Sequence, residues 1–241
     1  MFNNNVPQFL IIGSKKSYSG KILINLNKHP DIYIDNDSHY FDYYWKIMPK
    51  EWYYTLFLKS NKLIKGEESS NIIYIDICAK RVKKICPNTK FILFLQDPIK
   101  RAYSSWWEMS KDKMLEQRTF KECIDYNIKN LDEKRIPYNT LYQYVQMGFY
   151  IDQIERFLKI FPDPNNLLII ITEKMQNDPK SYYKKIFNFL GAKNVNIDFC
   201  DHQKSYWNEI DNSVNEKLKK IYKNHNEKLF NFLGYNIPEW N

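Results

Sequence analysis

The sequence is poor in the residues that build metal centres and disulfide frameworks. Its four cysteines include no C-x-x-C pair, and four are too few to hold 241 residues together by disulfides. Its four histidines show no H-x-x-x-H spacing. These absences argue against a zinc site and a disulfide-built scaffold, and they favour a reduced protein.

Long apolar runs are also missing. None approaches the roughly 20 residues that cross a bilayer. The first residues, Met-Phe-Asn-Asn-Asn-Val-Pro, have neither the basic start nor the apolar stretch of a signal peptide. We therefore expect a soluble, intracellular protein without a transmembrane segment.

The composition is that of a packed globule with a basic surface. Hydrophobic residues make up 44% and aromatic residues 17% of the chain, which argues against disorder. The length predicts a single domain over residues 1–241. The formal net charge of +8 favours anionic ligands, although abundant Lys, Asn, Ile and Tyr can equally reflect a composition bias. No basic-aromatic array of a recognised type is present, so nucleic acid is not expected as a partner.

Short apolar runs alternate with longer amphipathic segments along the chain. This alternation predicts an α/β fold with a central, mostly parallel sheet of about five strands flanked by helices. The expected strands are Phe9–Ile12, Ile32–Ile34, Lys62–Lys65, Phe91–Leu95 and Leu167–Ile171. The expected helices lie near residues 19–28, 75–86, 98–110, 119–131, 139–160, 179–190 and 212–233.

Two of these strands run into a basic, hydroxyl-bearing turn and then a helix. The turns are residues 13–21 and 96–105. A helix N-terminus at a sheet edge presents unpaired N–H groups, so each turn predicts a phosphate site. The first turn is not an ATP-type P-loop, because six residues separate Gly13 from Gly20-Lys21 and Ile22 stands where a magnesium-binding hydroxyl is needed.

Further segments match one family in order and spacing over nearly the whole chain. They are Pro7, Phe9 to Gly13, Lys16, Ser19, Leu26-x-x-His29-Pro30, Asn36 to Asp42, Gly66-Glu67-Glu68-Ser69, Gln96 to Ser104, Gly148-Phe149-Tyr150, Phe161-Pro162, Glu173, Asp178-Pro179, Phe189-Leu190-Gly191, Leu233-Gly234 and Trp240. In these segments the chain resembles the sulfotransferases that use 3′-phosphoadenosine 5′-phosphosulfate (PAPS), in particular the carbohydrate branch related to heparan sulfate sulfotransferases.

The resemblance implies a three-layer, P-loop-like fold and a function. The expected reaction transfers a sulfuryl group from PAPS to a hydroxyl or amine of an acceptor, above all a carbohydrate, and releases adenosine 3′,5′-bisphosphate without a metal. Lys16 and the base Asp37 are implied as catalytic residues. The implied nucleotide-binding residues are Lys15, Lys16, Ser17, Tyr18, Ser19 and Gly20 at the 5′-phosphate, Gln96, Arg101 and Ser104 at the 3′-phosphate, and Lys204 closing over the phosphates.

Three departures from the family pattern fall on this implied site. Ser17-Tyr18 replace a glycine pair, Gln96 replaces an arginine, and Asp37 replaces a glutamate. They keep open a second hypothesis, a catalytically impaired protein of the same fold that binds a nucleotide, a polyanion or a protein partner. A third, a small-molecule or nucleotide kinase, is weakened by the missing magnesium residue.

Several of these residues also have a purely structural interpretation. Ser19 can serve only as a helix N-cap, and Ser104 can be a plain helical serine. Arg101 can pair with Asp97 one turn earlier. His39 is interpreted as structural, packing beside Phe41.

Overall fold

The computed structural model describes residues 6–17, 19–36, 38–112, 115–132, 140–198 and 210–240. Five strands form one sheet, in which every neighbouring pair is parallel and the order is β2-β3-β1-β4-β5. The strands are β1 (Phe9–Gly13), β2 (Ile32–Asn36), β3 (Ile64–Glu68), β4 (Lys90–Leu95) and β5 (Leu167–Ile171). This sheet, flanked by helices, confirms the predicted α/β fold.

The helices of the described residues follow the predicted alternation. They are α1 (Ser19–Asn27), α2 (Lys50–Thr55), α3 (Asp76–Ile85), α4 (Pro98–Ser110), α5 (Phe120–Lys129), α6 (Tyr150–Leu158), α7 (Thr172–Asn177), α8 (Pro179–Leu190) and α9 (Asn212–Leu233). Several begin with an effective cap. Asp97 caps α4, Asp178 caps α8 and Asp211 caps α9, each by accepting a backbone N–H of the first turn.

The described residues divide into two compact units. The first contains residues up to 95 and from 157 to 198, and the second contains residues 96–156 and 210–240. The whole sheet lies in the first unit, whereas α4, α5 and α9 lie in the second. The expectation of one domain over the whole chain stays a prediction.

The core of the first unit lies against the sheet. Phe9 and Ile11 of β1 are buried with apolar residues of α1 and α8, among them Leu26 and Phe187. Strands covered on both faces need apolar residues throughout, which is what β1 and β4 have. On β3 only glycine fits at Gly66, because a Cβ there would lie 2.3 Å from the ring of Phe9.

The second unit has its own core between α4, α5 and α9. Ala102, Ile124 and Leu218 are fully buried members of this cluster. The short turn before α6 joins it through Gly148, where a Cβ would lie 2.6 Å from the Tyr222 ring. Close backbone packing of this kind fixes the turn against α9.

Two predicted elements are placed differently by the structure. The third strand runs over Ile64–Glu68 instead of Lys62–Lys65. The helix predicted over residues 139–160 is wrong in its first half, since short 3-10 turns at Thr140–Tyr142 and Gln146–Gly148 precede α6. In this segment Gly148 packs against Tyr222, and the buried Gln146 donates its Nε2 to the Asn130 carbonyl, tertiary contacts that the local apolar pattern does not reveal.

Candidate functional site

The loop after β1 is shaped by Gly13. This residue has φ +148°, and a Cβ on it would lie 2.6 Å from Ile73 Cγ2 and 3.3 Å from the Ser70 carbonyl. The next residue, Ser14, donates its backbone N–H to the Phe94 carbonyl of β4 at 2.6 Å. The loop is therefore tied to the carboxyl end of the neighbouring strand, where parallel sheets place their ligands.

Lys15, Lys16 and Ser17 follow in a tight turn closed by a 3.1 Å hydrogen bond from Ser17 N–H to the Ser14 carbonyl. Lys16 has φ +72°, a left-handed conformation that costs a non-glycine residue about 1–2 kcal/mol. Both lysines are half-buried. Strain of this kind persists where the surrounding structure imposes it, and it is common at ligand-binding loops.

Ser17 is the most informative residue of the loop. It is fully buried, yet its Oγ has no hydrogen-bond partner among the described residues. An unsatisfied buried hydroxyl costs about 1–3 kcal/mol. A ligand oxygen is the kind of group that would satisfy it.

The N-terminus of α1 completes this phosphate-type arrangement. The helix begins at Ser19, and its first-turn N–H groups carry the positive end of the helix dipole. Gly20 is exposed, with no atom within 4 Å of the position a Cβ would take. Lys15, Lys16 and Ser17 thus lie in the loop after β1, and Gly20 lies in the first turn of α1. That these residues bind one phosphate stays a prediction.

The second predicted turn lies in the second unit, at the start of α4. Gln96 is buried, and its side-chain Oε1 has no hydrogen-bond partner among the described residues. Its carbonyl accepts a 2.8 Å hydrogen bond from the Tyr150 hydroxyl. Asp97 is the N-cap of α4, and one of its carboxylate oxygens accepts a 2.8 Å hydrogen bond from the Ile99 N–H. Ser104 is half-buried on α4.

Arg101 points into the interior of the second unit. The residue is fully buried, its Nη2 donates to the Tyr144 carbonyl, and its Nη1 lies 3.8 Å from Met147 Sδ. Its Nε has no hydrogen-bond partner among the described residues. These contacts join α4 to the turn before α6. A contact between Arg101 and a phosphate stays a prediction.

The remaining predicted site residues are not described. Tyr18, Asp37 and Lys204 lie outside the residues that the structure describes, and so does the side chain of Ser19. Their roles stay predictions.

Sequence reasoning assigned no chemistry to a histidine–aspartate pair just after β2. His39 Nδ1 lies 3.1 Å from Asp42 Oδ2, and the histidine side chain is 44% exposed whereas that of the aspartate is 3% exposed. Asp42 also accepts hydrogen bonds from Asn71 Nδ2 at 2.7 Å and from the Tyr43 N–H at 2.8 Å. The signal in the sequence that could have identified this pair was the His-x-x-Asp spacing just after the end of a strand.

The electrostatics of this pair suit proton transfer. Burial alone would raise the pKa of Asp42, but the hydrogen bonds from His39 and Asn71 outweigh it and hold that pKa below its ordinary value. The carboxylate is therefore ionised at neutral pH. When Nδ1 of an imidazole donates to such a carboxylate, Nε2 becomes the nitrogen that accepts a proton.

Other chemistries find less support in the described residues. Burial raises the pKa values of the Cys78 and Cys123 thiols to about 12, so neither is a thiolate nucleophile at neutral pH. Within the described ranges, no group of His, Cys, Asp and Glu is arranged to hold a metal ion. Among the helices in those ranges, none has the length and apolarity needed to span a membrane.

Comparison with known proteins places this loop inside a family pattern. A family model described as "Sulfotransferase domain" matches residues 7–231. Human heparan sulfate glucosamine 3-O-sulfotransferase 6 is 26% identical over 198 residues, which cover 80% of this chain and 54% of that protein. Human bifunctional heparan sulfate N-deacetylase/N-sulfotransferase 3 is 27% identical over 202 residues, covering 78% of this chain and 23% of that protein.

A solved structure agrees with these matches. The sulfotransferase from Alicyclobacillus acidocaldarius superposes with a TM-score of 0.84 at 22% identity, covering 98% of both chains. At this identity the likeness concerns the fold, and it supports the three-layer, P-loop-like architecture. The chain spans about half, 54%, of the 3-O-sulfotransferase that it matches.

Proposed function

Because the chain belongs to the sulfotransferase domain family, we propose that it transfers a sulfuryl group from PAPS to a hydroxyl or amine of a carbohydrate acceptor. The observation that carries this proposal is the family match running through the loop in which the buried Ser17 hydroxyl has no partner among the described residues. The relatives' names support both kinds of acceptor atom, since one is a 3-O-sulfotransferase and the other an N-sulfotransferase.

The loop after β1 is the proposed 5′-phosphate site. Lys16 neutralises negative charge there, and the Ser17 hydroxyl gains the partner that it lacks in the described residues. The first N–H groups of α1, including that of Gly20, donate to the remaining phosphate oxygens. Lys15, Tyr18 and Ser19 complete the contacts carried over from the family resemblance.

The turn at the start of α4 supplies the proposed 3′-phosphate contacts. Ser104 donates its hydroxyl, Arg101 adds positive charge and Lys204 closes over the phosphates. Gln96 stands where the family has an arginine, and losing that charged contact costs about 1.5–3 kcal/mol, or roughly tenfold to a hundredfold in affinity. The buried Gln96 Oε1, which has no hydrogen-bond partner in the described part of the chain, supports a polar contact at this point.

PAPS supplies the sulfuryl group and leaves as adenosine 3′,5′-bisphosphate. The acceptor oxygen or nitrogen forms the new bond to sulfur as the bond from sulfur to the 5′-phosphate oxygen breaks, and a base takes the acceptor's proton. Asp37 is the base implied by the family resemblance, and His39 is the base favoured by its hydrogen bond to Asp42. Positioning and charge stabilisation supply most of the rate in such displacements, so no metal is required of this chain.

Calorimetry with adenosine 3′,5′-bisphosphate in metal-free buffer tests the donor site. We expect micromolar binding that Lys16→Ala weakens at least tenfold and that Lys80→Ala, at an exposed position on α3, leaves unchanged. Preferential binding of ATP with magnesium would instead favour the kinase hypothesis. Absence of binding to either nucleotide would refute the proposed donor.

Turnover separates the enzyme from an impaired binding protein. Release of adenosine 3′,5′-bisphosphate from PAPS is measured with unsulfated and N-sulfated heparosan oligosaccharides as acceptors. Acceptor-dependent release that is lost in Lys16→Ala supports the transferase. Tight nucleotide binding without turnover on any acceptor would favour the binding protein.

A further inference from the structure

Glu67 of β3 is a fully buried carboxylate with both oxygens engaged. Its Oε1 accepts hydrogen bonds from the Ser38 hydroxyl at 2.5 Å and the Ser38 N–H at 3.3 Å. Its Oε2 accepts one from the Tyr53 hydroxyl at 2.5 Å. Burying a carboxylate is costly unless hydrogen bonds compensate for the lost hydration. Loss of the Ser38 or Tyr53 hydroxyl would therefore leave part of that cost uncompensated.

One partner of Glu67, Ser38, belongs to the turn that carries the His39–Asp42 pair. Ser38 Oγ accepts the Tyr40 N–H at 3.1 Å, and the His39 carbonyl accepts the N–H of Tyr43 at 2.9 Å. The first residue of this turn, Ser38, therefore donates two hydrogen bonds to Glu67. Moving Ser38 would move the backbone of His39, the next residue.

Tyr53 supports the same turn from its other side. Its ring stacks on the Tyr40 ring, with centroids 4.6 Å apart and planes 15° apart. Burial, reinforced by the charge of Glu67, raises the pKa of Tyr53 well above its ordinary value. Tyr53 therefore stays protonated and remains a hydrogen-bond donor to Glu67.

We propose that Glu67 is a positioning residue for proton transfer: through Ser38 and Tyr53 it fixes the turn that carries the His39–Asp42 pair. This inference rests on the proposed sulfotransferase function. It assigns the positioning of the proton-accepting group to β3, whereas the loop after β1 is proposed to bind the 5′-phosphate. A displacement of about 1 Å at a reacting group can cost on the order of a hundredfold in rate.

Four variants test the assignment. Ser38→Ala and Tyr53→Phe each remove one hydroxyl donor to Glu67, and Glu67→Gln keeps the shape and one acceptor oxygen. Tyr33→Phe is the matched control, because it removes a tyrosine hydroxyl of the same unit that donates to Asp35 at 3.1 Å and not to Glu67. We expect Ser38→Ala and Tyr53→Phe to lower kcat roughly tenfold to a hundredfold.

Further readouts separate positioning from loss of folding. Affinity for adenosine 3′,5′-bisphosphate should stay within about twofold of wild type, and KM for PAPS should change less than kcat. Glu67→Gln should retain more activity than Ser38→Ala, since the amide oxygen still accepts from Ser38. Tyr33→Phe should keep the wild-type kcat. A kcat unchanged in Ser38→Ala and Tyr53→Phe, or a loss that matches the loss of folded protein, would overturn the assignment.

A measurement without turnover keeps the inference separate from the proposed function. The ring ¹⁵N signals of His39, identified with a His39→Gln variant, report whether Nδ1 carries the proton that Asp42 accepts. We expect this state in wild type and Tyr33→Phe, and tautomer averaging in Ser38→Ala and Tyr53→Phe. Unchanged His39 signals in all variants would refute the positioning role, whereas an inactive wild type with these changes would refute only the sulfotransferase.

Discussion

Replacing Gly13 by alanine is the sharpest test of the loop geometry. The new Cβ would lie 2.6 Å from Ile73 Cγ2, a distance that real Cβ contacts do not show, and 3.3 Å from the Ser70 carbonyl. At φ +148°, the backbone of Gly13 also has a conformation that residues with a side chain rarely adopt. The substitution therefore meets a steric and a conformational cost together.

The two costs set the expected magnitude. Forcing a non-glycine residue into such a conformation costs about 1–3 kcal/mol. Inserting a methyl group into a packed site costs about 1–3 kcal/mol more. We expect Gly13→Ala to lower the free energy of unfolding by about 2–6 kcal/mol.

Gly20→Ala is the matched control. No atom lies within 4 Å of its Cβ position, and the residue is in the first turn of α1. Alanine there should leave stability unchanged or raise it by up to about 1 kcal/mol. Its backbone N–H is retained, so affinity for adenosine 3′,5′-bisphosphate should also be unchanged.

Urea unfolding followed by circular dichroism measures the stabilities, and calorimetry measures nucleotide affinity. Gly13→Ala should have a lower unfolding midpoint and weaker nucleotide binding than Gly20→Ala. If Gly13→Ala unfolds at the wild-type urea concentration and binds the nucleotide equally well, Ile73 and the loop accommodate the methyl group and the reasoning is wrong.

Substitutions at three further positions test other parts of the molecule. The pKa of Asp42 lies below its ordinary value, so this carboxylate adds stability at neutral pH that is lost as the pH falls through the lowered pKa. In urea titrations the stability difference between wild type and Asp42→Asn should shrink as the pH falls below the ordinary value of 3.8. Gly148→Ala places a Cβ 2.6 Å from the Tyr222 ring and should lower the free energy of unfolding by about 1–3 kcal/mol in the same assay. An unchanged unfolding midpoint would show that the Tyr222 ring moves aside without cost. Thr119→Ala removes the capping box with Glu122 at the start of α5 and should cost about 1 kcal/mol, whereas Thr119→Ser should be nearly neutral.

The sequence predicted β1, β4 and β5 well because nearly all of their residues are apolar. β4 and β5 were identified at their full apolar lengths, since uninterrupted apolar runs of this length are typical of strands in a parallel sheet. The edge of β3 was misplaced because Gly66, Glu67 and Glu68 are atypical of strands. Gly66 lies there because the Phe9 ring fills the space beside it, a tertiary contact that no local pattern reveals.

The basic turn after β1 was also predictable, but its details were not. A strand, a basic turn and a helix in succession indicated Lys15 to Gly20 from the sequence alone. No local pattern in the sequence shows that Ser17 is buried without a hydrogen-bond partner among the described residues, or that Lys16 has positive φ. Spacing identifies such a loop, whereas packing decides which of its groups are left for a ligand.

Arg101 and Glu67 show why charge in a motif does not by itself assign a role. Arg101 has the spacing of a phosphate contact, yet its guanidinium is buried and donates to the Tyr144 carbonyl. Glu67 follows a glycine in a matched segment, and nothing local marks it as the acceptor for Ser38 and Tyr53. Both charges are buried and hydrogen-bonded to distant parts of the chain, so substituting either one should first change the geometry of its partners. For that reason a kinetic defect at Glu67 has to be read together with the state of His39, because only the two measurements together distinguish a positioned base from a destabilised fold.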